Sequence, residues 1–159
     1  MTLAFPAGSG VAPPEVLRQM SGLDFLQAIL DGRLPHPPIM VTLGYGPVEL
    51  ASGRVVFEAA LDGRAYNPIG VIHGGFAATL LDTVTACAVH STLPAGTGYT
   101  TVELKVNYLR PLVAELGTVR AVGQVISSGR RTALATGELF DADGKLCGWA
   151  SSTCMVMPL

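Results

Sequence analysis

Between Arg64 and Glu103 the only Asp, Glu, Lys or Arg is Asp82, and it stands inside the small, apolar run "GGFAATLLDTVTACAVHST". From Gly74 or Gly75 to about Thr92 this run is expected to form one long helix rich in Ala, Leu and Val. Most of its circumference is apolar, so other structure must wrap it. The flanking segments supply that wrapping. After "PAGTG" the residues alternate, which puts Val102, Leu104, Val106 and Tyr108 on one face of a strand and Glu103, Lys105 and Asn107 on the other. "TVRAVGQVIS", "RTALATGELF" and "LCGWASSTCMVM" read as three further strands, joined by tight turns at "SSGR" and "DADGK". Upstream, "IMVTLGYGPVEL" is expected as a strand, "ASG" as a turn, and "RVVFEAAL" as the antiparallel return. Two strands, a buried helix and a four-strand meander fit an α+β fold in which an antiparallel sheet of five to six strands curls around the helix.

The N-terminal part reads differently. Its first twenty residues, rich in Gly and Pro, are expected as a loose arm. "SGLDFLQAILDG" then forms a short amphipathic helix, opened by the capping pattern of Ser21 and Asp24 and closed by Gly32. The division is therefore residues 1–38 as arm and short helix, and residues 39–159 as a single folded domain.

Composition narrows the function classes. Hydrophobic residues make up 49% of the chain and charged ones 14%, with mean hydropathy +0.45, so apolar surface is expected to be buried between subunits. No run reaches the ~18 apolar residues of a membrane span, and "MTLAFPAGSG" lacks the basic-then-apolar order of a signal peptide. Cys87, Cys147 and Cys154 show no metal-ligand spacing and are expected as reduced thiols in the cytoplasm. A net charge of −2 without a basic stripe gives nucleic acid or a membrane surface no electrostatic handle.

Two features carry chemistry. An ordinary helix acid faces solvent on a polar stripe, and Thr79, Thr83 and Thr85 could supply one. The run around Asp82 is too uncharged for that, which points to a functional carboxylate. His73-Gly74-Gly75, at the helix start, offers unpaired backbone N–H groups that a ligand can approach closely. Such donors can hold the developing oxyanion of a carbonyl under attack. His73 and Asp82 lie nine positions apart, which is ~900° and ~13 Å along a helix. They point oppositely and cannot serve one carbonyl in one chain. Two antiparallel copies of the helix would bring the glycine end of one to Asp82 of the other.

"NPIGVIHGGFAATLLDTVTACA", "TTVELKVNYLRPL" and "SSGRRTALATGELFDADGKLCGWASSTCMV" together resemble the hotdog-fold acyl-CoA thioesterases, in particular the phenylacetate-degradation (PaaI-like) branch. The resemblance spans roughly Ile39 to Met157. It implies dimers that commonly assemble into homotetramers, and hydrolysis of an acyl-CoA substrate without metal or organic cofactor. It also implies that Asp82 is nucleophile or general base and that Gly74 donates its N–H to the thioester oxygen, with Gly75 beside it. Asn67 and His73 take the positioning places, and Thr101 holds the water or the acid, with Thr100 as competitor. For the phosphates of CoA, the turn carrying Ser128, Gly129, Arg130 and Arg131 and the strand-end Arg110 are candidates. His36 and His90 receive no role, Trp149 is expected in the core, and Met155 and Met157 as packing. An enoyl-CoA hydratase would need an acid inside "NPIGVIHGG", which has none. A non-catalytic acyl-CoA binding or sensing protein would keep the fold without turnover.

Overall fold

The computed structural model describes residues 7–159, so the first six residues of the expected arm lie outside it. The rest of that arm is not loose. Gly10 N–H donates to the His36 carbonyl at 2.9 Å and His36 N–H to the Gly8 carbonyl at 3.0 Å. Pro14–Gln19 form helix α1, with Pro14 in the first turn, where its missing N–H would be unpaired anyway. Helix α2, Gly22–Leu30, is capped as its sequence pattern requires: Asp24 N–H donates to Ser21 Oγ at 3.2 Å.

The strand expected from Ile39 starts later. Pro38–Leu43 form helix α3, and strand β1 is Tyr45–Ala51. Pro38 at the first helical turn pre-sets φ for a helix, and Gly44 at φ 69° ends it in the left-handed region. The β-branched residues of "IMVT" favour a strand only weakly, and the proline overrides them. One expected N-terminal helix is thus three.

Strand β2 is Arg54–Ala60, helix α4 is Gly74–His90, and β3, β4, β5 and β6 are Thr97–Tyr108, Thr118–Ser128, Thr132–Phe140 and Leu146–Pro158. The sheet has six strands in the order β1-β2-β4-β5-β6-β3, every neighbouring pair antiparallel, with β3 at one edge. Helix α4 lies across it. Its seat is a row of small residues: Gly123 of β4 opposes Gly137 of β5, which opposes Ala150 of β6. A Cβ at Gly123 would overlap the Val84 carbonyl, and one at Gly137 would press on Thr85 Cγ2 at 3.1 Å and Leu81 Cδ2 at 3.2 Å. Absent side chains therefore let the helix backbone approach the sheet, and Leu80, Leu81, Val84 and Ala88 bury against Phe57, Val119 and Leu139. Leu26 of α2 and Met40 of α3 belong to the same core.

Strand β3 departs from simple alternation. Thr101 pairs with Cys154 and Glu103 with Thr153, so Val102 is an extra residue, bulged outward and 57% exposed. A bulge reverses which parity faces inward. Tyr99 and Thr101 face α4 before it, Leu104 and Val106 after it, and Val102 leaves the face assigned to it by alternation. Tyr108 is also mostly exposed, and Trp149 lies half-buried between Asn107 and Glu138 rather than in the core. Among the described residues no helix is long and apolar enough to cross a membrane, and no cluster of His, Cys, Asp and Glu could hold a metal ion.

Candidate active site

Helix α4 is apolar on the side that meets the sheet, and its other side follows a helical stripe: Thr79, Asp82, Thr83, Ala86, Cys87 and His90, spaced i, i+3, i+4, i+7, i+8 and i+11. This stripe faces a cavity of about 620 Å³ rather than bulk water. Helices α2 and α3 form the opposite wall with Phe25, Leu26, Ile29 and Met40, and β3 closes it with Tyr99 to Thr101. Gly22 makes the wall possible, because a side chain there would overlap the His90 carbonyl.

Asp82 sits on this wall, partly buried, and Thr101 Oγ1–H donates to its Oδ1 at 2.9 Å. The bulge at Val102 decides this pairing. Regular alternation from Leu104 would have turned Thr100 toward the helix; with one residue extra, Thr101 faces Asp82 and Thr100 is exposed at the cavity rim. At the next residue of the helix, Tyr45 O–H and Thr83 Oγ1 share a hydrogen bond at 3.2 Å. Cys87 stays a protonated thiol and a poor nucleophile: burial, with the Asp82 charge adding to it, pushes it up to about 12. Burial likewise raises the Tyr99 phenol and keeps it neutral.

The helix start points elsewhere. His73 is the N-cap of α4, and its Nδ1 accepts the Gly75 N–H at 2.8 Å, so a neutral His73 ring carries its proton on Nε2. Gly75 is thereby committed, whereas the Gly74 N–H has no partner among the described residues. The Gly74 carbonyl accepts Tyr108 O–H at 3.1 Å. Asn67 Oδ1 accepts the N–H groups of Ile69 and Val71 at 3.1 and 3.2 Å, which fixes the loop before the helix. Asn67, Gly74, Tyr108 and Arg110 line a second cavity of about 320 Å³. Asp82 is not on that cavity and Gly74 is not on the first. Within one chain the structure therefore keeps the Asp82 carboxylate and the Gly74 N–H on different cavities.

Arg130 and Arg131 line a third cavity, of about 790 Å³, with Thr97, Thr132 and the partly exposed Met155. Ser128 and Gly129 do not line it; Gly129 N–H closes the turn on the Thr132 carbonyl at 2.9 Å. Among the described residues neither arginine, nor Arg110, makes an ion pair. His90, given no role from sequence, lines the main cavity two turns beyond Asp82, its ring against Phe25 and Tyr99. The stripe spacing could have found it, but an all-round apolar helix hid which of its faces met a cavity.

A sheet curled around one long helix, with a carboxylate on the cavity side of that helix and a glycine at its start, defines the hotdog class of thioester hydrolases. The sequence pattern of the thioesterase superfamily matches residues 69–148, and the chain belongs to that superfamily. The chain is similar to a phenylacetic acid degradation-related protein from Ralstonia eutropha, with 32% identity, 82% of this chain and 98% of that one covered, and a TM-score of 0.75. Human acyl-coenzyme A thioesterase 13 is 32% identical over 62% of this chain and 70% of its own length. A Caenorhabditis elegans relative is 34% identical over 70% of this chain, which spans 66% of that protein, just under two thirds.

Proposed function

We propose that the chain hydrolyses acyl-CoA thioesters at a site shared between two copies of itself. The observation that carries this is the Asp82 carboxylate on the cavity wall, held at 2.9 Å by the Thr101 hydroxyl. A thioester carbonyl is electrophilic and its thiolate a fair leaving group, so one oriented carboxylate suffices. Asp82 either attacks the carbonyl carbon, giving a mixed anhydride and CoA thiolate, or takes a proton from the attacking water. Gly74 N–H of the second copy, uncommitted among the described residues and aided by the helix dipole, receives the developing oxyanion. Asn67 and His73 shape that donor end. The separation of Asp82 and Gly74 onto different cavities supports the shared site, and the edge position of β3 leaves room for a second copy beside α4. Dimers built this way pair into tetramers. Arg130, Arg131 and Arg110, which make no ion pair among the described residues, suit the phosphates of CoA. No metal or organic cofactor is required by this chemistry, and the three free cysteines suit a reducing cytoplasm.

The test is thiol release from a panel of acyl-CoAs by wild type and Asp82→Asn. Hydrolysis of at least one member, with a loss of ~100-fold or more in the near-isosteric amide, is the expected result. Tight binding of CoA esters with equal, negligible turnover by both proteins would overturn it in favour of a binding module.

A further inference from the structure

His90 stands eight positions after Asp82 on α4, about two helical turns and ~12 Å, and both face the same cavity. Between them the stripe offers Thr83, whose hydroxyl is taken up by Tyr45, then Ala86 and Cys87, and the opposite wall offers Phe25, Leu26 and Ile29. The cavity thus carries an acid at Asp82, a mostly apolar stretch beyond it, and a polar ring again at His90. His90 is only 7% exposed, and its ring packs at a tilt against Phe25 (centroids 5.6 Å, 52° between planes) and Tyr99 (5.0 Å, 39°). No hydrogen bond to either ring nitrogen exists among the described residues, and neither nitrogen is sealed from the cavity. A buried imidazole normally has its nitrogens paired, because leaving a donor and an acceptor unpaired is costly. Here no group among the described residues pairs with them, and the cavity is where a partner would have to come from.

We infer that His90 is a specificity residue that hydrogen-bonds a polar group at the far end of the acyl chain. The inference rests on the thioesterase reading for the position of the carbonyl at Asp82. With C–C bonds of about 1.52 Å advancing roughly 1.3 Å each along an extended chain, ~12 Å corresponds to about eight to ten carbons. The substrate class is therefore a medium-length acyl-CoA bearing a hydroxyl near its ω end. Burial lowers the His90 pKa to about 4, so the ring is neutral at working pH and offers one N–H donor and one acceptor nitrogen. A hydroxyl can engage either. A plain methyl end would cover both nitrogens and leave them unpaired, which is how a site built for a hydroxyl rejects its deoxy analogue.

The test compares octanoyl-CoA and decanoyl-CoA with their ω-hydroxy counterparts, in wild type, His90→Phe and His90→Gln. Phenylalanine keeps the aromatic stack without nitrogens; glutamine keeps donor and acceptor without the ring. The quantity read is kcat/KM for the hydroxylated ester over that for its parent. It is expected to be about tenfold higher in wild type than in His90→Phe, with His90→Gln between them. The same ratio is measured as binding affinity by calorimetry in the Asp82→Asn background, with and without His90→Phe, so that discrimination is scored without turnover. Absence of hydrolysis by wild type would remove the thioesterase reading, and the calorimetric ratio would still decide the role of His90. A binding ratio that His90→Phe leaves unmoved overturns the inference.

Discussion

Replacing Thr101 by valine removes one hydroxyl, keeps the β-branched shape and leaves the strand register alone. The lost contact is a hydrogen bond of 2.9 Å from Thr101 Oγ1 to Asp82 Oδ1. Bonds to charged groups contribute about 1.5–3 kcal/mol, which at ~1.36 kcal/mol per tenfold is roughly ten- to 150-fold in rate. Both side chains are only partly buried, so water can replace some of the bond and the lower half applies. A fall in kcat of about ten- to fiftyfold is expected for Thr101→Val, with Thr101→Ser retaining most activity. Thr100→Val, one residue away at the exposed rim, is expected to stay within about threefold. The assay is continuous thiol release at saturating acyl-CoA, with KM measured alongside to separate positioning from binding. Equal losses at the two threonines, or a larger one at Thr100, would refute the bulged register as the device that orients the acid.

Four more outcomes are expected. Gly74→Pro deletes the N–H at the first helical position, after a His73 already at ψ 135°, and needs the mostly exposed Tyr108 ring, 3.2 Å from the new Cβ, to yield slightly; it should abolish turnover while far-UV helicity persists. Mixed one-to-one with Asp82→Asn and reassembled, the pair should recover about one quarter of wild-type activity, since half the dimers hold one intact site; no recovery would refute the shared site. Acid titration should expose His90. Its value falls from 6.5 to about 4 in the fold, so the unfolded chain takes up a proton that the native state refuses. That part of the stability is complete above pH 6.5 and is lost as pH drops toward 4, and between pH 7 and pH 5 His90→Phe should lose about 2 kcal/mol less than wild type in urea unfolding. Tyr99 and Cys87, on the same cavity, are raised by burial and stay neutral throughout that range. Gly123→Ala should destabilise by about 1–3 kcal/mol, read as a lower urea midpoint, because its methyl meets the Val84 carbonyl.

Much of this was legible along the chain. The helix α4 announced itself through its length, its glycine start and the need to be wrapped, and Asp82 through being the lone acid there. The half-turn offset between His73 and Asp82 follows from helix geometry alone, and the two ends do line different cavities. Thr101 over Thr100 was not legible, because a bulge is a property of two paired strands and shows only when Cys154 and Thr153 are counted against β3. Nor was α3, where "IMVT" argued for a strand and the preceding prolines argued locally for a helical turn. His90 was passed over because a histidine acquires meaning from what it faces, and its neighbours Phe25 and Tyr99 come from other parts of the sequence.

The row of Gly123, Gly137 and Ala150 beneath α4 has a bearing on aim as well as on packing. A cylinder resting on a flat bed is free to roll; one lying in a keyway is not. Leu81, Val84 and Thr85 fill that keyway, and Asp82, next in the chain to Leu81, is turned away from it by the angle one residue makes on a helix. The azimuth of the catalytic candidate is thus set from behind, by side chains that are not there. Atoms added on the sheet, out of reach of any substrate, would swing the carboxylate off Thr101 as surely as a change in the cavity itself.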